Sequence, residues 1–181
     1  LITIYLFCVA YEEKTKIKSM YRFIKNHLHS WFPLLPSYQA FNDRLNKLSD
    51  IFPLMMADFM SLITVSNDGL KILLGDSLPI ITCSHKRGGK VAKDITDKGF
   101  CATKNLHYYG VKIHLLGLRK PGTIPFPQYI EVTPASIHDL TASRNILEII
   151  KADVSILDKA YTDTELARKM KDNGNILLTP V

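Results

Sequence analysis

The sequence predicts a mixed α/β (α+β) domain preceded by a small helical module. Up to about residue 68, apolar residues recur at helical spacing among lysines and arginines. From Gly69 the chain changes to short apolar runs and alternating stretches, and the later runs are separated by two helix-start signals. A length of 181 residues, 46% hydrophobic and 22% charged, provides apolar material for a core and excludes a disordered chain. The expected division is 1–68 for the helical module and 69–181 for the α/β core.

Residues 1–10 are apolar but have no basic flank of the kind that opens a signal peptide. They are also shorter than the ~20 residues a bilayer requires, so a helix or strand is expected and a membrane anchor is not. Residues 11–30 read as a basic helix, with Met20, Tyr21, Phe23 and Ile24 among Lys14, Lys16, Lys18, Arg22 and Lys25. Pro33 and Pro36 end it. Ser37 is an N-cap for a second helix, in which Tyr38, Phe41, Leu45 and Leu48 share a face. Pro53 opens a third, apolar helix reaching about Val65.

In the core, residues 71–81 read as a buried strand carrying one acid, Asp76. A basic loop follows over 83–105. Residues 108–118 form a second strand, in which Val111, Ile113 and Leu115 alternate with Lys112 and His114. Pro121-Gly122 is a turn, and 128–133 is a third strand, of edge type because prolines flank it. Ser136-Ile-His-Asp139 has the form of a capping box and opens a helix to about Ile150, with Ile146, Leu147, Ile149 and Ile150 inward. Residues 154–158 are a fourth strand ending in Asp158. Thr162-Asp-Thr-Glu165 opens another helix, Asn173-Gly174 closes it, and a fifth strand occupies 175–179.

Three successive strands suggest an antiparallel meander, and the helical crossovers add parallel neighbours. The first and fourth strands can then lie side by side, which would bring Asp76 and Asp158 to one end of the sheet. A buried carboxylate left without a partner is costly by several kcal/mol, so two such acids call for a shared cation. Oxygen ligands suit Mg2+ or Mn2+. Two such ions about 3.5–4 Å apart can activate a water or a 3′-hydroxyl and stabilise the leaving oxygen of a phosphoryl displacement. Structural acids capping turns are the competing reading.

The net charge of +6 is concentrated. Residues 83–120 hold nine Lys or Arg against two acids, more than the whole surplus, and the expected partner is a phosphate backbone, contacted by Lys86, Arg87, Lys90, Lys93 and Lys104. A solvated basic loop is the bland alternative. The three cysteines have no disulfide-framework spacing, which favours a reducing cytoplasm. A non-catalytic DNA-binding module with a zinc knuckle from Cys83, His85, Cys101 and His107 is a separate hypothesis, although that spacing matches no common pattern.

Four motifs in order, Asp76-Ser-Leu-Pro-Ile80, Tyr108-Tyr-Gly-Val-Lys-Ile-His114, Thr133-Pro-Ala-Ser-Ile-His-Asp139 and Asp158-Lys-Ala-Tyr161, resemble the catalytic core of DDE transposases. The similarity is to the 982 family of bacterial insertion sequences, extends over roughly residues 20–181, and includes Trp31-Phe-Pro-Leu-Leu-Pro-Ser-Tyr-Gln-Ala-Phe41 with Arg44-Leu45. The resemblance implies an RNase H-like fold, Asp76 and Asp158 as the first two catalytic acids and metal ligands, and Mg2+ or Mn2+ as cofactor. It also implies DNA cleavage and strand transfer at element ends, a homo-oligomer when active, and Lys112 and His114 beside the site facing DNA. A packed His114 and a solvated Lys112 are the alternative. His138 and Asp139 are expected as helix-start residues, and Tyr161 packs beside the acid. The family's third acid is a Glu on a later helix, whereas Glu165 here reads as a cap. The absence of an initial Met and the end at Thr179-Pro180-Val181 suggest a fragment truncated before that Glu, or an inactive remnant.

Overall fold

The computed structural model describes residues 1–62, 69–84, 92–101 and 104–180. The chain divides into two compact units between Ile63 and Thr64, close to the expected boundary.

The first unit is helical. It comprises α1 (Ile2–Ala10), α2 (Ile17–His27), α3 (Tyr38–Lys47) and α4 (Ile51–Leu62). The expected helix over 11–30 is shorter, beginning at Ile17, and residues 1–10 are a helix of their own. Its core comes from Ile4 and Cys8 of α1, Met20 and Ile24 of α2, and Phe41 and Leu45 of α3. The spacings of three and four that predict helices also set these side chains on one stripe. Ser37 caps α3 as expected, its hydroxyl accepting from the Ala40 N–H at 3.3 Å. Helix α4 starts two residues before Pro53, which is tolerated because first-turn N–H groups have no intrahelical partner.

The second unit is a six-stranded mixed sheet with helices on one face. Its elements are β1 (Ile72–Ser84), β2 (Asp97–Cys101), β3 (Leu106–Leu118), β4 (Phe126–Pro134), α5 (Asp139–Ile149), β5 (Val154–Ile156), the 3-10 turn Lys159–Tyr161, α6 (Thr164–Asp172) and β6 (Ile176–Leu178). Strand β3 pairs antiparallel with β1 along one edge and with β2 and then β4 along the other. β5 lies parallel to β1, and β6 parallel to β5. The adjacency expected of the first and fourth apolar strands is therefore present. β2 was not expected, because 83–105 reads as a loop. Its polar Asp97-Lys98 start hides a five-residue edge strand that pairs with residues 106–110.

Leu73, Leu116, Leu147, Leu157, Tyr161, Leu166 and Met170 form the core between the sheet and helices α5 and α6. Fully burying a side chain of this size stabilises by about 1.5–3 kcal/mol. Odd-numbered β1 residues and even-numbered β3 residues share this covered face, since Leu73 opposes Leu118 and Gly75 opposes Leu116. The other face carries Asp76, Leu78, Ile80 and Leu115, all exposed. β1 is thus not the buried strand that its apolar run suggests, and its acid is not buried. Ile149 is also exposed, on the far side of α5 from Leu147.

Two helix starts differ in detail from the expected boxes. The N-cap of α5 is His138, whose Nδ1 accepts from the Leu140 N–H at 3.4 Å, with Asp139 the first helical residue. The N-cap of α6 is Asp163, accepting from the Leu166 N–H at 2.7 Å. Gly174, at φ +81°, ends α6 in the left-handed conformation that favours glycine.

Candidate functional site

Parallel pairing sets the geometry of the two acids. Ile72, Leu73 and Leu74 of β1 pair with Val154, Ser155 and Ile156 of β5. The ladder ends at the Leu74–Ile156 pair, and Asp76 and Asp158 each follow it by two residues on their own strands. Paired residues of neighbouring parallel strands project to the same side, and adjacent strands run about 4.8 Å apart. The extended backbone of Asp158, at φ −74° and ψ 177°, continues the line of β5 up to the 3-10 turn.

Both carboxylates are exposed and half engaged. Asp76 Oδ1 accepts from the Ser77 N–H at 2.7 Å, and Asp158 Oδ1 accepts from the Ala160 N–H at 2.9 Å as the cap of the 3-10 turn. The capping alternative therefore describes one oxygen of Asp158. The second oxygen of each acid has no protein partner among the described residues, which leaves two anionic donors of the kind that a hard cation accepts. Among the described residues no group of three or more His, Cys, Asp or Glu could hold a metal ion.

Lys112 and His114 lie on the covered face, away from Asp76. His114 is fully buried, with Nε2 2.8 Å from Thr133 Oγ1, and Lys112 Nζ donates to Asp139 Oδ1 at 2.8 Å. This corrects the expectation that they look toward DNA. The even-numbered positions of β3 run Lys112, His114, Leu116, Leu118, and the two leucines draw that whole face under α5 and α6. The packed alternative holds for His114, while Lys112 is ion-paired rather than solvated.

Lys93 and Lys104 are exposed on turns flanking β2, and Lys98 is exposed on β2 itself. Lys86, Arg87 and Lys90 lie outside the described residues. Of the zinc-knuckle set, His85 also lies outside them. Cys83 opposes Tyr109 from β1, whereas Cys101 opposes Leu106 from β2, on the other edge of β3. Two strand spacings, about 9.6 Å, separate those edges, too far for two thiolates on one zinc at about 2.3 Å each.

Ser143 and Thr133 received no role from the sequence, whereas Asp139, expected as a helix-start residue, is the first residue of α5. Burial is the first cause that pushes the Tyr161 hydroxyl far above its ordinary value, followed by the charge of Asp139, against the opposing effect of a hydrogen bond with Ser143. Tyr161 therefore stays protonated through the ordinary pH range. The i, i+4 spacing of Asp139 and Ser143 was the available signal.

Among the described residues no helix is long and apolar enough to cross a membrane. No family model matches the chain, and no curated protein or solved structure matches it either.

Proposed function

We propose that this chain belongs to an insertion-sequence transposase of DDE type, acting in the cytoplasm on DNA and assembling as a homo-oligomer when active. The observation that supports the reading is the parallel pairing of β1 with β5, since Asp76 and Asp158 each follow the Leu74–Ile156 pair by two residues and each keeps one carboxylate oxygen without a partner among the described residues. The order of the four motifs and the basic segment over 83–120 support it. In this reading Asp76 and Asp158 would hold Mg2+ or Mn2+, which supplies Lewis-acid stabilisation to the oxygens of an in-line phosphoryl displacement. The lysines and arginine at 86, 87, 90, 93 and 104 contact the DNA backbone and release counterions on binding. Lys112 and His114 support the covered face.

The test is divalent-dependent strand cleavage by the protein on linear DNA carrying the element's ends. Asp76→Asn and Asp158→Asn are each expected to abolish cleavage while leaving DNA binding intact. Normal cleavage by either variant would remove that acid from the chemistry.

A further inference from the structure

Residues 14–42 hold five Lys or Arg and no acid, and three of those cations share one face of α2. At about 100° per residue, Lys18, Arg22 and Lys25 fall within roughly 60° of arc. Met20 and Ile24, both 0% exposed in the helical core, lie on the opposite side of the helix. The three cations are exposed, and among the described residues none of them has a hydrogen-bond or ion-pair partner. Lys14, just before the helix, is by contrast occupied: it pairs with Glu12 at 3.0 Å and lies 4.3 Å over the Phe23 ring.

This arrangement works against the helix that carries it. Like charges three and four residues apart repel, as Arg22 and Lys25 do and as Lys18 and Arg22 do. The first turn of α2 has no acid, and Lys18 stands there against the positive end of the helix dipole. An anion along this stripe removes both penalties. From Lys18 to Lys25 the helix rises about 10 Å at 1.5 Å per residue, the length taken by about three phosphates of one duplex strand at 3.4 Å each. A lipid surface is the other polyanion that a basic amphipathic helix meets, but it takes up the apolar side of the helix, and in α2 that side is packed into the core.

We propose that the exposed face of α2 is a second nucleic-acid-binding surface, with Lys18, Arg22 and Lys25 contacting successive phosphates of a duplex. It belongs to the helical unit, whereas the basic segment over 83–120 belongs to the sheet unit. It does not rest on the chemistry proposed for Asp76 and Asp158.

Fluorescence anisotropy of the full chain on a duplex of arbitrary sequence, at several salt concentrations, tests the surface. The unmodified protein is compared with Lys18→Gln/Arg22→Gln/Lys25→Gln and with a charge-matched control in the other unit, Lys151→Gln/Arg168→Gln/Lys171→Gln. All six side chains are exposed. The α2 variant is expected to bind more weakly and to lower the slope of log affinity against log salt by roughly 2.7, at about 0.9 per lost contact, while the control changes it by less than one contact. Lys18→Arg/Arg22→Lys/Lys25→Arg, which keeps every charge, should retain the slope. Because the glutamines remove like-charge repulsion, the Tm of the α2 variant should not fall. Should that variant nevertheless fail to fold, Arg22→Gln alone, with a drop of about 0.9, decides. An unchanged slope in the α2 variant, or an equal loss in the control, would overturn the proposal. So would binding to vesicles of anionic lipid that depends on these three residues when duplex binding does not. Cleavage plays no part in these readouts, so failure of the chemistry proposed for the two acids leaves them unaffected.

Discussion

His114 and Thr133 meet at 2.8 Å between Nε2 and Oγ1, with both side chains buried on the covered face of the sheet. Burial holds His114 below its ordinary value of 6.5, and Lys112 adds to the effect, while Asp139 and Glu131 oppose it. The unfolded chain takes up this proton near 6.5, and the folded chain resists it to lower pH. The stability linked to His114 is therefore fully present above about pH 6.5 and is lost as pH falls through the depressed folded value. Urea midpoints measured from about pH 7 down to about pH 5 are expected to fall, and His114→Gln should flatten that fall. A midpoint that rises on acidification would contradict the sign.

Gly110 of β3 sits against the backbone of Ile80 on β1. A Cβ placed there would run into the carbonyl oxygen of Ile80 and meet its carbonyl carbon at 3.0 Å, beside the point where the β1–β3 register shifts between Ile81 and Cys83. A side chain can rotate away from such a contact, but a paired backbone cannot. Gly110→Ala is expected to destabilise the second unit by about 1–3 kcal/mol, in the range of overpacking. Gly122→Ala meets nothing within 4 Å and faces only the strain of φ +74°, so it should be the milder change. Thermal unfolding of both variants checks the order, and equal Tm values would count against a backbone clash at Gly110.

Much of this architecture was legible because local chemistry decides it. Ser37 had to cap α3, Asn173-Gly174 had to end α6, and the apolar runs around Leu73 and Val154 had to pair. What the sequence concealed was the choice of face. Alternation along β3 offers Val111, Ile113 and Leu115 as the inward set, yet the core takes Leu116 and draws Lys112 and His114 in with it. Period-two patterning cannot choose between two apolar faces, and residues 111–118 have apolar side chains on both. The same ambiguity made Asp76 read as buried. The adjacency of β1 and β5 was legible as a consequence of strand order, whereas the contact of Asp139 with Lys112 needs three-dimensional placement of β3 and α5.

For the basic segment, the face assignment yields a contrast. If Lys86, Arg87 and Lys90 contact phosphates, replacing all three with Ala should weaken DNA binding and lower the slope of log affinity against log salt by roughly 0.9 per lost contact on duplex DNA. Lys112→Met, which removes a cation already paired with Asp139, should leave that slope unchanged. Fluorescence anisotropy on a short duplex at several salt concentrations tests both. An unaltered slope in the triple variant, or a reduced one in Lys112→Met, would reverse the assignment.

Asp163 performs two tasks that substitution can separate. One carboxylate oxygen accepts from the Leu166 N–H at 2.7 Å as the N-cap of α6, and the other accepts from Arg144 of α5 at 2.6 Å. The Leu166 N–H foremost, with Arg144 after it, holds the Asp163 carboxyl below its ordinary 3.8 against the opposing effect of burial. Asp163→Asn keeps a competent cap and loses the ion pair, because Asn caps about as well as Asp. Arg144→Ala loses the ion pair alone. Asp163→Ala loses both, so its Tm should fall furthest, with Asp163→Asn and Arg144→Ala close together above it. The pH dependence follows from the sign of the shift: a lowered folded value makes the Asp163 contribution present above about pH 3.8 and lost as pH falls through the folded value. The gap between the unmodified chain and Asp163→Asn should therefore close in acid. A gap that widens in acid would show that the carboxylate is not stabilised by these two partners.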